Sequence, residues 1–342
     1  MSEHNAPILN QPVESIILGP FLGHVTTTSI KIWLHLEGQH TEVFITLHPG
    51  SSDAESVTEA RLTLSPDKLY TDCVTVNDLK PDTKYFYKLW TDSAHSTALD
   101  LQGLVEKELR FWTLSDDPSE QIDFVVMSCH NPDVATADGL KGYAVWADLP
   151  QIIARGNNEK VRFALLVGDQ IYADEWEKKI LEEKDEHVRM RHYLEAYRHY
   201  WSDIHYRRVM CSLPAVMMWA DHDITDGWGS RSESFEGNTH EFKQPWRNLF
   251  DAAFRSFSLM QASRNPDTLS DEPRDGLDFC FRVEKWGFVF LDLRTNRNLK
   301  SQQLQTSAQF DRIRTWVEEN QKEVNTLFVI SPVVFSHGSP IV

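Results

Sequence analysis

The sequence divides into two regions of different architecture. An all-β sandwich over residues 13–118 is followed by an α/β domain over residues 119–342, with residues 1–12 as a flexible lead. Three observations predict this. Before residue 114, short segments rich in β-branched and aromatic residues recur, several alternating apolar with polar, as in Ile30-Lys31-Ile32 and Thr75-Val76-Asn77. That two-residue period is the signature of half-buried strands. After residue 120, short continuous apolar runs alternate with helical stretches, as in a sheet buried on both faces. Between the two, Asp116-Asp117-Pro118-Ser119-Glu120 is polar and aperiodic and serves as a linker.

The strands expected in the first region are 29–36, 42–48, 60–64, 70–76, 84–90 and 108–113, with turns such as Pro49-Gly50-Ser51-Ser52 between them. Leu79-Lys80-Pro81-Asp82-Thr83-Lys84-Tyr85 resembles the L-x-P-x-T-x-Y turn of fibronectin type III-like domains. Pro81 would fix the corner, and Tyr85 would fold its hydroxyl back onto the backbone there. His24, His35, His40 and His48 read as surface residues of this sandwich, and the tryptophans read as core. In the second region the apolar runs are 124–127, 163–167, 215–219, 288–291 and 327–334. Helices are expected over 140–155, 186–209, 242–262 and 307–322, the last with Phe310, Ile313 and Val317 on one side. Residues 265–276 are rich in Asp and Pro and read as an exposed loop.

Composition narrows the function. At 342 residues and 41 % hydrophobic, the chain has material for packed cores, which excludes a disordered class. The formal net charge of −17 disfavours nonspecific binding to nucleic acid or anionic membranes. It does not disfavour a small phosphate-ester substrate, because bound cations invert the local field. No apolar run approaches the roughly 18–20 residues of a membrane span. Residues 1–11 show neither a basic start with an apolar stretch nor a twin arginine, so a cytoplasmic location is expected. The four cysteines form no CxxC pair and no zinc-type spacing. No phosphate-loop or dinucleotide-binding glycine motif occurs, which argues against a kinase or nucleotide-binding chain.

In open α/β sheets, ligands gather at the carboxyl ends of the strands. Run 124–127 leads to Ser128-Cys129-His130-Asn131, and run 163–167 to Gly168-Asp169-Gln170-Ile171-Tyr172-Ala173-Asp174. Run 215–219 leads to Ala220-Asp221-His222-Asp223-Ile224-Thr225-Asp226, run 288–291 to Asp292-Leu293-Arg294, and run 327–334 to Phe335-Ser336-His337. Thiol, carboxylate, phenol and imidazole at one sheet edge point to a polynuclear metal site. Each residue also has a plainer reading. Cys129 suits a small buried hydrophobe, Asp169 a helix cap, Tyr172 a packed aromatic and His222 a hydrogen-bonded core residue. Asp221 and Asp223 flank His222, and either is a candidate to orient it. Asp292 and Arg294 fit the site or a strand-end ion pair equally well.

The motifs carry a family resemblance. Gly168-Asp169-Gln170-Ile171-Tyr172 resembles the G-D-x-x-Y motif of PhoD-like alkaline phosphatases, where other metallophosphoesterases have G-D-x-x-D. Ser128-Cys129 resembles the S-C motif that precedes it, and Trp219-Ala220-Asp221-His222-Asp223 through Asp226 resembles the W-D-D-H-E/D block. His337 resembles the isolated late histidine of many metallophosphoesterases. The resemblance runs over residues 16–342 and implies an α/β/β/α metallophosphoesterase domain behind the sandwich. It also implies a centre of Fe(3+) and Ca(2+). Cys129 and Tyr172 would ligate iron, Asp169 would bridge the metals, and Asp226 would stand where some relatives place an asparagine ligand. His222 would lie near the substrate, stabilising charge or protonating the leaving oxygen. The implied reaction is hydrolysis of phosphomonoesters or phosphodiesters by metal-activated water. One departure stands out: no late G-D-x-H segment follows Asp292, so the domain is expected to be incomplete at its C-terminus. The alternative is a noncatalytic binding module, and metal-dependent turnover separates the two.

Overall fold

The computed structural model describes residues 16–120, 122–133, 143–155, 161–270 and 272–334. The expectations for residues 1–12, for His337 and for the start of helix 140–155 lie outside them.

The first region contains β1 (Ile16–Val25), β2 (Ile30–Glu37), β3 (Glu42–Pro49), β4 (Thr58–Thr63), β5 (Thr71–Val76), β6 (Lys84–Trp90) and β7 (Arg110–Trp112). They form two antiparallel sheets, ordered β1-β2-β5 and β4-β3-β6-β7. Six lie on the expected segments. β1 does not, because Gly19, Pro20 and Gly23 interrupt it and it shows no polar alternation. It is apolar on both faces because both are buried. Ile17, Leu22 and Val25 join one hydrophobic cluster, while Leu18 and Phe21 join a second built largely from helices of the other region. The tyrosine corner is present: the Lys80 N–H donates to Tyr85 Oη (2.9 Å), and Thr83 Oγ1 donates to Pro81 O (2.8 Å).

The histidines of the sandwich are not uniformly on its surface. His35 is fully buried, with Nδ1 2.9 Å from Leu69 O and Nε2 receiving Arg198 Nη2 (3.0 Å). His48 is buried between Thr46 Oγ1 and Ala54 O. Their strands carry the polar partners inward, which a two-residue period alone does not reveal.

The second region contains β8 (Asp123–Met127), α1 (Tyr143–Arg155), β9 (Val161–Val167), α2 (Glu177–Glu182), α3 (Glu186–Trp201), α4 (Ile204–Met210), β10 (Ala215–Met218), α5 (Gln244–Met260), β11 (Phe279–Val283), β12 (Trp286–Phe290), α6 (Ser307–Asn320) and β13 (Thr326–Ile330). The five apolar runs do not share one sheet edge. β10-β9-β8 form a parallel sheet, and β11-β12-β13 a second in which β11 runs antiparallel. The two meet face to face through aromatic side chains, with Phe124–Phe288 at 5.4 Å and Phe163–Phe281 at 6.2 Å between ring centroids. The expected helix 186–209 is two helices. The first ends at its C-cap, Ser202, and Asp203 caps the next, its Oδ1 accepting from His205 N (2.8 Å) and Tyr206 N (3.1 Å). On α6, Phe310 points outward. Gln309 takes the buried place instead, donating to Asp278 Oδ2 and Asp292 O.

Helix α4 and the end of α5 lock onto the sandwich. Arg207 donates to Gly19 O and Leu101 O, and Trp33 Nε1 donates to Leu259 O. Among the described residues, no helix is long and apolar enough to cross a membrane.

Candidate metal centre

The site forms where β8, β9 and β10 end. Backbone bonds carry the pairing one step past the strands: Cys129 N–H donates to Gly168 O (3.2 Å), His130 N–H to Asp169 O (2.8 Å) and Gly168 N–H to Met218 O (3.0 Å). The chain then turns sharply. Cys129, Gly168 and Asp169 have φ of 60°, 78° and 53°. For the two non-glycine residues this left-handed backbone costs roughly 1–2 kcal/mol each. A Cβ on Gly168 would lie 2.5 Å from Ala220 Cβ, so only glycine lets the loops after β9 and β10 touch.

Asp223 holds this turn in place. Its fully buried carboxylate accepts from Asp169 N (2.8 Å) and Ala220 N (2.9 Å) on Oδ2, and from Gln170 N (3.1 Å) and Gln261 Nε2 (2.9 Å) on Oδ1. Burial, then the charge of Asp169, pushes its carboxyl up to about 7, and the N–H donors oppose that rise. Asp223 is therefore a backbone clamp that joins two sequence motifs.

Four of the residues singled out in the sequence come together directly. Cys129 Sγ lies 3.4 Å from Asp169 Oδ2. The Tyr172 ring lies 4.3 Å, between centroids, from that of His222, and the Tyr172 phenol feels the charges of Asp169 and Cys129. Asp226 stands at the exposed rim, its Oδ1 3.9 Å from His222 Nε2. Asp221, His222 and Asp226 can each offer a ligand atom, all within 4.8 Å of one another. Asp221 is already engaged, however: Oδ1 pairs with Arg294 Nη2 (3.0 Å) and Oδ2 accepts from Gly227 N (3.1 Å). Asp292 does not reach the cluster. It accepts from Trp219 Nε1, Leu277 N and Arg294 N, bracing the loop from which the Arg294 side chain crosses to Asp221.

Neither flanking aspartate orients His222. Asp174 does, with Oδ2 2.7 Å from His222 Nδ1 and Oδ1 accepting from Asp226 N. The sequence held a signal for it, since Asp174 closes the same run that supplies Asp169 and Tyr172.

The electrostatics fit a cation. Burial, reinforced by Asp221, raises the Asp169 carboxyl, while His222 and Arg294 pull it down. Burial also raises the Cys129 thiol and holds the Tyr172 phenol well above its usual range, with Asp169 adding to both. Burial lowers the His222 imidazole, but its bond to Asp174 and the charges of Asp174, Asp169 and Asp221 outweigh this and raise it to about 9. Three acidic groups thus suppress one another's ionisation, which a multivalent cation would reverse. Asp169 Oδ1 is buried and has no hydrogen-bond partner among the described residues. An unsatisfied buried carboxylate oxygen beside a thiol and a phenol is a donor set that fits a metal ion.

Two facing sheets with helices around them, and this cluster at the strand ends, define the class: a layered α/β fold with a candidate metal centre. The model of the PhoD-like phosphatase family matches residues 124–325, more than half of the chain. The chain belongs to the PhoD-like phosphatase family. Among solved structures, one of PhoD superimposes with a TM-score of 0.65 at 15 % identity, over 92 % of this chain and 60 % of that one. The likeness is one of fold, and this chain spans 60 % of the PhoD chain it matches. The sensor domain of the anti-sigma factor RsgI4 of Pseudobacteroides cellulosolvens covers only 30 % of this chain, at 18 % identity and a TM-score of 0.21. No curated protein sequence matches the chain.

Proposed function

We propose that this chain hydrolyses phosphomonoesters or phosphodiesters at a metal centre held by Cys129, Asp169, Tyr172 and Asp226. The observation that carries this reading is the convergence of Cys129 and Tyr172 on Asp169, whose Oδ1 is buried without a hydrogen-bond partner among the described residues. Thiolate and phenolate suit ferric iron, and the carboxylates of Asp169 and Asp226 suit calcium. When bound, such cations would polarise the phosphoryl group and acidify a water for in-line attack. The remaining roles belong to the chain. His222, whose imidazole is raised by its carboxylate neighbours, faces the cluster through Nε2 and is placed to stabilise charge on the phosphoryl oxygens or to protonate the leaving oxygen. Arg294 neutralises Asp221 and limits the repulsion an anionic substrate would meet.

The test is metal content by mass spectrometry on the purified chain beside Asp169→Asn, followed by phosphate release from p-nitrophenyl phosphate and bis(p-nitrophenyl) phosphate. Near-stoichiometric iron or calcium, lost in the variant together with at least a hundredfold of turnover, supports the reading. Folded chain without metal or turnover defeats it and favours a noncatalytic binding module.

A further inference from the structure

Asp174 uses both oxygens of one carboxylate inside the cluster. Oδ2 receives His222 Nδ1 at 2.7 Å, and Oδ1 receives the backbone N–H of Asp226. The segment around it is pinned as well, since Ala173 N–H donates to His222 O (2.9 Å). The ring of His222 is held on its other side by Tyr172, 4.3 Å away between centroids. With Nδ1 committed to Asp174, the atom that faces Asp226 is Nε2. One side chain therefore fixes the ring plane of the histidine, decides which nitrogen it presents, and sets the backbone from which Asp226 projects.

We propose that Asp174 is a positioning residue that presents His222 Nε2 to the cluster and holds Asp226 beside it, a role that rests on reading this site as one acting on phosphate esters. Hydrogen-bonded partners behind metal ligands fix ring orientation in this way, and their loss typically costs 10–100-fold in metal affinity or activity. Asparagine at position 174 would keep one acceptor oxygen and turn an N–H donor toward the second donor, so it can serve only one of the two bonds.

The test uses the full chain and Asp174→Ala, Asp174→Asn, His222→Gln and the Asp174→Ala/His222→Gln double variant. Long-range proton–nitrogen NMR of the His222 ring, recorded at a pH where it is neutral, reads which nitrogen carries the proton. Wild type is expected to carry it on Nδ1, and Asp174→Ala to move it largely to Nε2. Titration with Mn2+ alone is expected to weaken about 10–100-fold in Asp174→Ala and less in Asp174→Asn. The double variant should bind no more weakly than its weaker single parent if the two residues act as a unit. An unchanged Nδ1–H in Asp174→Ala overturns the proposal, and so do fully additive losses in the double variant. A wild-type chain that releases no phosphate yet shows the proton shift in Asp174→Ala supports the positioning role while ending the phosphoesterase reading.

Discussion

Gly168 shows how little latitude the site allows a single residue. Its φ of 78° and the 2.5 Å separation that any Cβ would have from Ala220 act together. Gly168→Ala is expected to lose about 3 kcal/mol, from left-handed strain and from overpacking at the loop contact. Urea unfolding measures it. Gly168→Ala/Ala220→Gly should recover the overpacking part and keep the strain part; no recovery would place the whole cost in the backbone. At this scale the sequence was partly legible. Cys129, Asp169, Tyr172 and His222 announce themselves through their chemistry at strand ends. Asp223 and Asp174 stand in the same runs, but their roles are not legible there, because their work is done on N–H groups and on a neighbouring ring.

At the scale of elements, the informative contact is β2 against α3. His35 lies between Leu69 O and Arg198, and Glu37 pairs with both Arg191 and Arg198. Burial, and then the Arg198 charge, depresses His35 to about 3. The unfolded chain therefore takes up a proton near 6.5 that the folded chain refuses. Stability from this group is complete above pH 6.5 and is lost as pH falls from 6.5 toward 3, by up to about 1.4 kcal/mol per pH unit. His35→Gln should show a flatter stability profile across that window in chemical denaturation at stepped pH. Parallel profiles for the two proteins would mean that His35 does not titrate this way. Strand existence was readable here from composition and period. β1 escaped because a strand buried on both faces and broken by Gly and Pro offers no period to read, and β11 because it is a short hairpin arm between a loop and β12.

At the scale of the whole molecule, two hydrophobic clusters among the described residues each draw on both sequence regions. One joins Ile32 and Tyr87 of the sandwich to Phe163 and Phe288; the other joins Phe21 and Trp33 to Trp201 and Phe257. Arg264 reinforces the second, fully buried with its guanidinium 5.0–5.5 Å from the ring centroids of Phe21, Trp33 and Trp201. Interleaved cores of this kind should melt as one unit. Scanning calorimetry is expected to show a single transition with matching calorimetric and van't Hoff enthalpies. Two resolved transitions would mean that the sandwich and the α/β region keep separate stabilities.

The sequence by itself determined the order of the two architectures, most of the strands and helices, the tyrosine corner, and the thiol, carboxylate, phenol and imidazole side chains that follow β8, β9 and β10. These are local properties, set by side-chain period, backbone preference and the chemistry of single residues. Tertiary structure alone decided that the strands of the second region divide between two facing sheets, that His35 is buried, that Arg294 meets Asp221, and that Asp174 rather than a neighbour of His222 holds the ring. Each of these depends on groups brought together across tens to hundreds of residues, as with Arg198 reaching His35 from 163 positions away. Such pairings follow from how sheets stack and loops cross, which no local pattern encodes.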